Sequence, residues 1–260
     1  MMLSRPLATF LFAAFLGFAH ANDNLERGDY WYANRARGAQ GDQADRKIAD
    51  SMTVAYRKAL ADSSVEEIAA EKLLQALYFK GRFAAPDPAD RMQIHTEAKI
   101  LGEKMHAKYP LNKSIMSFYA LNLSLWGKEY GPLQAVREGI AGKVRDLGDS
   151  ANDFQILGRA HQLLPYVPFL LNWPDKKLAD KYLKMALKQH PEDLYNFLFV
   201  AELYMDQGHY EKALKTIDCA LAKGVRDDYI LEDRRARWKL RLLRQEIVSK
   251  IRVAAKSYPF

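Results

Sequence analysis

The chain of 260 residues has a single cysteine, Cys219. One thiol cannot close an intramolecular disulfide, so a disulfide scaffold is excluded, as is a Cys-rich zinc or iron–sulfur site. No cysteine stands near the end of the N-terminal leader, which excludes a lipid-modified bacterial N-terminus. Long apolar runs are equally scarce. After the first residues, no segment offers the roughly 17–25 apolar residues that a membrane-spanning helix requires. No sustained alternation of apolar and polar residues appears either, so the signal of half-buried strands is missing. Hydrophobic residues make up 49% of the chain and charged residues 27%. That balance excludes intrinsic disorder and supplies one large core or two small ones.

What is present begins with a leader. Arg5 supplies a positive start, Leu7 to Ala19 carry no charge, and Ala19-His20-Ala21 matches a small-x-small cleavage pattern. Residues 1–21 therefore read as a secretory signal, and the product as a periplasmic, soluble protein with no stable membrane insertion after cleavage. Asn112-Lys113-Ser114 and Asn122-Leu123-Ser124 are formal glycosylation sequons, relevant only in a eukaryotic secretory pathway. Residues 22–43 are polar and contain Gly28, Gly38 and Gly41, which reads as a mobile lead-in.

From residue 44 onward, apolar residues recur at three- and four-residue spacing, the period of helices. Ser63-x-x-Glu66 reads as a capping box, and Asp87-Pro88 as a capping carboxylate before a first-turn proline. Helix stops are expected at Gly81, Pro110, Gly148, Pro191, Gly208 and Gly224.

The helices repeat. Ala179, Leu183 and Ala186 form a small–large–small series before Pro191, and Ala213, Ile217 and Ala220 repeat it at the thirty-four-residue spacing of tetratricopeptide repeats. Phe197, Ala201, Tyr204 and Gly208 occupy first-helix positions of the last unit; Phe154, Leu157, Gly158 and His161 do so one unit earlier. Met116, Tyr119, Ala120 and Leu123 fit a further first helix, and Leu73, Leu74, Leu77 and Gly81 another. The expected fold is all-α: tetratricopeptide-like helical hairpins over residues 44–225, stacked into a curved array, with a capping amphipathic helix in residues 226–260.

Segment 194–221, LYNFLFVAELYMDQGHYEKALKTIDCAL, resembles a tetratricopeptide repeat. The order Asn122-Leu-Ser-Leu-Trp126, then Leu157-Gly158-Arg159, then Leu164-Pro165, then this repeat, resembles the T-component family. Those are periplasmic tetratricopeptide proteins associated with tripartite ATP-independent (TRAP) transporters. The resemblance implies a helical-repeat adaptor that partners a solute-binding receptor and encloses an apolar ligand path. It departs from the family's lipoproteins in lacking their cysteine.

No catalytic spacing emerges. No His-Glu-x-x-His pattern, Gly-x4-Gly-Lys loop or Gly-x-Ser-x-Gly elbow is present. Glu66-Glu67 and Asp227-Asp228 sit at predicted helix starts, where the helix dipole favours negative charge. His161 reads as a satisfied interior histidine and Cys219 as a small, partly buried side chain. No enzyme, metal site or cofactor is implied; a periplasmic enzyme or enzyme accessory with its site around His161 stays as the alternative of another class.

Repeat arrays bind through a concave face lined by first helices. Register nominates Tyr78 and Phe79; Ser117, Leu121 and Ser124; Gln155, Arg159 and Gln162; and Leu198, Glu202 and Met205. That mixed lining suits a protein or peptide partner, or a partly apolar ligand, better than nucleic acid, which would want basic residues tracking phosphates. The insertion from Leu164 to Trp173, broken by prolines, adds Tyr166, Phe169 and Trp173 as a plug on the repeats or as a contact site.

The formal net charge of +7 is localised: from Arg234 to Lys256, nine basic residues stand against one acid, Glu246. Leu231, Trp238, Leu242, Ile247, Ile251 and Ala254 form an apolar stripe along the same segment. A solubilising terminal cap and a membrane-surface or acidic-partner contact both fit such a helix.

Overall fold

The computed structural model describes residues 23–167, 169 and 171–256; the expected secretory signal lies outside them. The described residues are helical with no strand, and the only pairings of strand type among them are the isolated bridges Gln40–Gln43 and Val167–Leu171. The chain divides into two compact units, between Glu129 and Tyr130.

The first unit contains α1 (residues 23–33), α2 (Arg46–Ala59), α3 (Glu66–Phe83), α4 (Pro88–Lys108) and α5 (Lys113–Tyr130). The polar lead-in is therefore folded over much of its length. Its Asp29 carboxylate accepts the Tyr56 hydroxyl of α2 at 2.7 Å and lies 2.5 Å from Lys72 of α3, which ties the polar α1 down. Asp45 and Asp87 cap α2 and α4, each accepting backbone N–H groups of the first turn, and Pro88 begins α4 as expected. Met52, Tyr56, Leu73, Leu74, Leu77, Tyr119 and Leu123 are buried at helical spacing.

Two local expectations fail here. Ser63 and Glu66 form no capping box. Ser64 donates from its backbone and its hydroxyl to Asp62, and Glu66 accepts from the Tyr109 hydroxyl at 2.8 Å and from Lys108 at the end of α4. The carboxylate is drawn to a cation across the hairpin, which holds it below the usual range. Gly81 does not stop α3, which runs on to Phe83. A Cβ at Gly81 would lie 2.4 Å from His95 Nε2, so the glycine makes room for a histidine of α4.

The second unit contains α6 (Pro132–Arg137), α7 (Ile140–Ala151), α8 (Phe154–Leu163), α9 (Lys176–Gln189), α10 (Leu194–Asp206), α11 (Tyr210–Leu221), a 3-10 turn (Asp227–Tyr229) and α12 (Ile230–Lys256). Asp153, Asp175 and Asp193 cap α8, α9 and α10. Gly148 also fails as a stop; α7 continues to Ala151 and ends at Asn152 in the left-handed region. Helices end before Pro110, Pro191, Gly208 and Gly224 as expected.

Helices α8 and α9 pack as one antiparallel pair, α10 and α11 as the next. Every member of both small–large–small series is buried. A Cβ at Gly158 would lie 2.6 Å from Leu183 Cδ2, so α8 and α9 touch at a glycine where a larger side chain would hold them apart.

Helix α12 packs on α10 and α11 through Ala236, Leu240, Leu243 and Ile247. Of the expected stripe, Leu231 and Ile247 are buried, whereas Trp238, Leu242 and Ile251 are exposed. The buried row follows spacings of four, three and four, and its alanine permits close approach. Asp233, fully buried, accepts from Arg226 N, Nε and Nη2, and Arg226 also reaches Asp193 at 3.4 Å, locking the start of α12 to the start of α10.

Candidate functional site

The first helices of the two hairpins in the second unit, α8 and α10, carry a ladder of polar contacts. Gln155 Nε2 donates to Asn196 Oδ1 at 2.8 Å, Arg159 Nη1 to Glu202 Oε2 at 2.5 Å, and Gln162 Nε2 to Asp206 Oδ2 at 3.3 Å. Gln155, Arg159 and Gln162 recur at intervals of three and four, so they share one face of α8. Arg159 also donates to Gln162 Oε1 at 2.7 Å and stacks its guanidinium 4.1 Å above the Phe199 ring. Burial pulls the Arg159 pKa below its ordinary value, while Glu202 pulls it the other way. The result is a paired, shielded cation at the centre of the face.

Register assigned α8 and Glu202 to this face, but it misplaced Leu198. That side chain is buried with Ala201, Ala213 and Ile217, and half-buried Met205 packs against the same cluster. Leu198, Ala201 and Met205 recur at helical spacing and are apolar, so that side of α10 turns toward α11 and α12. The side facing α8 is Asn196, Phe199, Glu202 and Asp206, of which register found Glu202 and missed the other three. The polar spacing of three and four was readable in the sequence; the richer apolar series beside it masked it.

The insertion between α8 and α9 has a packed base and an open tip. Val167 and Leu171 exchange backbone hydrogen bonds at 2.8 and 2.7 Å, closing a narrow turn. Leu171 is buried, and half-buried Trp173 meets the His161 ring edge-on at 5.2 Å and receives the Arg145 guanidinium over its own ring at 4.9 Å. At the tip Phe169 is fully exposed with φ +65°, and Tyr166 is exposed beside it. The base of the loop thus packs on the helices, and its tip is exposed.

His161 anchors the base. Its Nδ1 accepts the Asp175 backbone N–H at 3.1 Å, and Tyr182 stacks on it at 5.7 Å. Burial lowers its pKa, so the ring is neutral with its proton on Nε2. Cys219, expected to be partly buried, is exposed on α11.

In the first unit Phe79 is buried and stacks on Phe83 at 5.0 Å, so it belongs to the core and not to a binding face. Tyr78 is half-buried; its hydroxyl accepts from Arg82, whose guanidinium also lies over the Tyr78 ring at 5.1 Å. Ser117 and Leu121 are half-buried on α5, and exposed Ser124 donates to the Ala120 carbonyl at 2.8 Å. Asn122, the sequon residue on α5, is fully buried. Its amide nitrogen donates to the carbonyls of Leu74 and Phe118, and its oxygen faces His95 Nδ1 at 3.0 Å.

Among the described residues no group of three or more His, Cys, Asp or Glu could hold a metal ion, and no helix is long and apolar enough to cross a membrane. No protein-family model matches the chain, and no curated protein does.

Proposed function

We propose that this is an exported, non-enzymatic helical-repeat protein that binds a protein or peptide partner through the first helices of tetratricopeptide-like hairpins. The observation that carries the reading is the α8–α10 ladder: Gln155, Arg159 and Gln162 on one first helix meet Asn196, Glu202 and Asp206 on the next. Gln155, Arg159, Glu202 and Asp206 are at least partly exposed around the Phe199 ring and can exchange their mutual bonds for bonds to a peptide backbone at little net cost, whereas Gln162 and Asn196 are buried and hold the two helices together. The thirty-four-residue spacing of the second helices supports the repeat assignment. His161, proposed here as an anchor and not a catalytic base, has one ring nitrogen and one ring face committed to structure. The T-component reading, in which the partner is a solute receptor and the ligand apolar, draws support from exposed Tyr166 and Phe169 beside the same helices.

A photo-reactive amino acid placed at half-buried Gln155 or exposed Asp206 tests the proposal in cells. Covalent adducts with a defined protein should form from these positions and not from Lys215, exposed on α11. Equal adducts from all three positions, or none from any, would defeat the interaction face. Turnover of a small substrate by the purified chain would defeat the non-enzymatic reading.

A further inference from the structure

Helix α12 has more apolar surface than its packing uses. Its inner row, Ala236, Leu240, Leu243 and Ile247, is consumed by α10 and α11. On the opposite side Trp238, Leu242 and Val253 remain 54%, 44% and 62% exposed. Their spacings of four and eleven residues, about one and three helical turns, align them in one outward strip. Arg234, Arg241 and Arg252, at spacings of seven and eleven, run alongside it, and Arg235 and Lys239 fall along its other edge. The one acid between Arg234 and Lys256 is Glu246, which lies 3.5 Å from Lys250.

We propose that this outer face of α12 docks on an anionic lipid surface, with Trp238, Leu242 and Val253 at the headgroup–acyl boundary and the arginines on lipid phosphates. A strip of Trp, Leu and Val between cationic rows is the composition of a helix lying in the membrane interface. The charge is complementary to acidic headgroups, and arginine stems can lie along the apolar strip while their heads reach phosphate. A second copy would set cationic row against cationic row. A nucleic acid would engage the arginines yet leave Leu242 and Val253 in water. The docking is peripheral and independent of the α8–α10 face.

The test uses the full chain and a local readout, because the apolar segment near the N-terminus can itself adsorb to lipid. The fluorescence that Trp238→Phe removes reports that site alone. Vesicles of phosphatidylcholine with brominated acyl chains and phosphatidylglycerol should quench this component; vesicles of the same brominated phosphatidylcholine without phosphatidylglycerol should not. Arg241→Gln and Arg252→Gln should each weaken the quenching titration about fivefold, and Leu242→Gln should weaken it with the charge intact. Unquenched Trp238 in protein that sediments with anionic vesicles would overturn the proposal, as would equal quenching by neutral vesicles. So would indifference to Leu242→Gln combined with arginine-dependent binding to a DNA duplex or polyglutamate, because the face would then be a general polyanion contact.

Discussion

Arg159 Nη1 stands 2.5 Å from Glu202 Oε2 across the gap between α8 and α10, with the two side chains 21% and 28% exposed. Such a pair lies between a surface ion pair, worth little, and a buried one whose disruption is costly. Urea unfolding of Arg159→Ala, Glu202→Ala and the double variant should give a coupling of about 1–2 kcal/mol. Arg159→Lys should not restore it, because one ammonium cannot reproduce the bond to Gln162 and the stack on Phe199. Additive single losses would show that the pair merely coexists.

Two helical glycines should respond oppositely to alanine. A Cβ at Gly158 would lie 2.6 Å from Leu183 side-chain atoms and 3.0 Å from its backbone nitrogen, so α9 itself must shift. Gly158→Ala should cost about 1–3 kcal/mol despite alanine's better helix propensity. In α7 a Cβ at Gly142 meets nothing within 4 Å, so Gly142→Ala should gain up to about 1 kcal/mol. Thermal melts of the two variants should move in opposite directions.

These glycines also show where sequence reasoning reaches its limit. Spacing located the helices and the buried series Ala179–Leu183–Ala186 because burial follows period directly. A glycine has two meanings, chain breaker and contact point, and only the neighbouring helix decides between them. Gly208 breaks, while Gly81 and Gly158 admit His95 and Leu183. The same holds for Glu66, which fits a capping box until Lys108 arrives from forty-two residues away. The pairs His95–Asn122 and Arg226–Asp233 belong to that class, since no local pattern reports a partner in another helix. On α12 the apolar residues were readable, but one list held two faces, and packing alone divided them.

The two interior histidines should occupy opposite tautomers. Asn122 spends its amide nitrogen on two carbonyls, so its oxygen accepts and His95 carries its proton on Nδ1. His161 accepts from Asp175 N at Nδ1 and carries its proton on Nε2. Long-range 15N–1H correlation of imidazole-labelled protein at neutral pH distinguishes them. Two identical tautomers would refute one of these bonds.

Burial lowers both pKa values, and stability must therefore depend on pH with a definite sign. As pH falls, the unfolded chain takes up these protons first, near pH 6.5 on the ordinary histidine value. Stability from the neutral rings is thus complete above about pH 6.5 and declines as pH falls toward the lowered folded values. Urea midpoints should drop between pH 7.5 and pH 5.5. Their slope should flatten in His95→Gln, once its lower starting stability is allowed for. An unchanged slope in that variant would remove His95 from the titration.

The buried Leu171 and the exposed Phe169 of the loop between α8 and α9 can be separated experimentally. Leu171 is 3% exposed, and Leu171→Ala should cost about 2–4 kcal/mol as a core truncation. Phe169 sits at φ +65°, a region that disfavours bulky side chains and suits glycine. Phe169→Gly should therefore leave stability unchanged or raise it by up to about 1 kcal/mol, read as an upward shift of the melting temperature. A residue whose removal stabilises the fold is not there for the fold. If Phe169→Gly also abolishes photo-adducts from a probe at position 166, the tip's apolar surface serves a partner. If it lowers the melting temperature by as much as Leu171→Ala, the tip packs on its own helices, and the contact reading of this loop is lost.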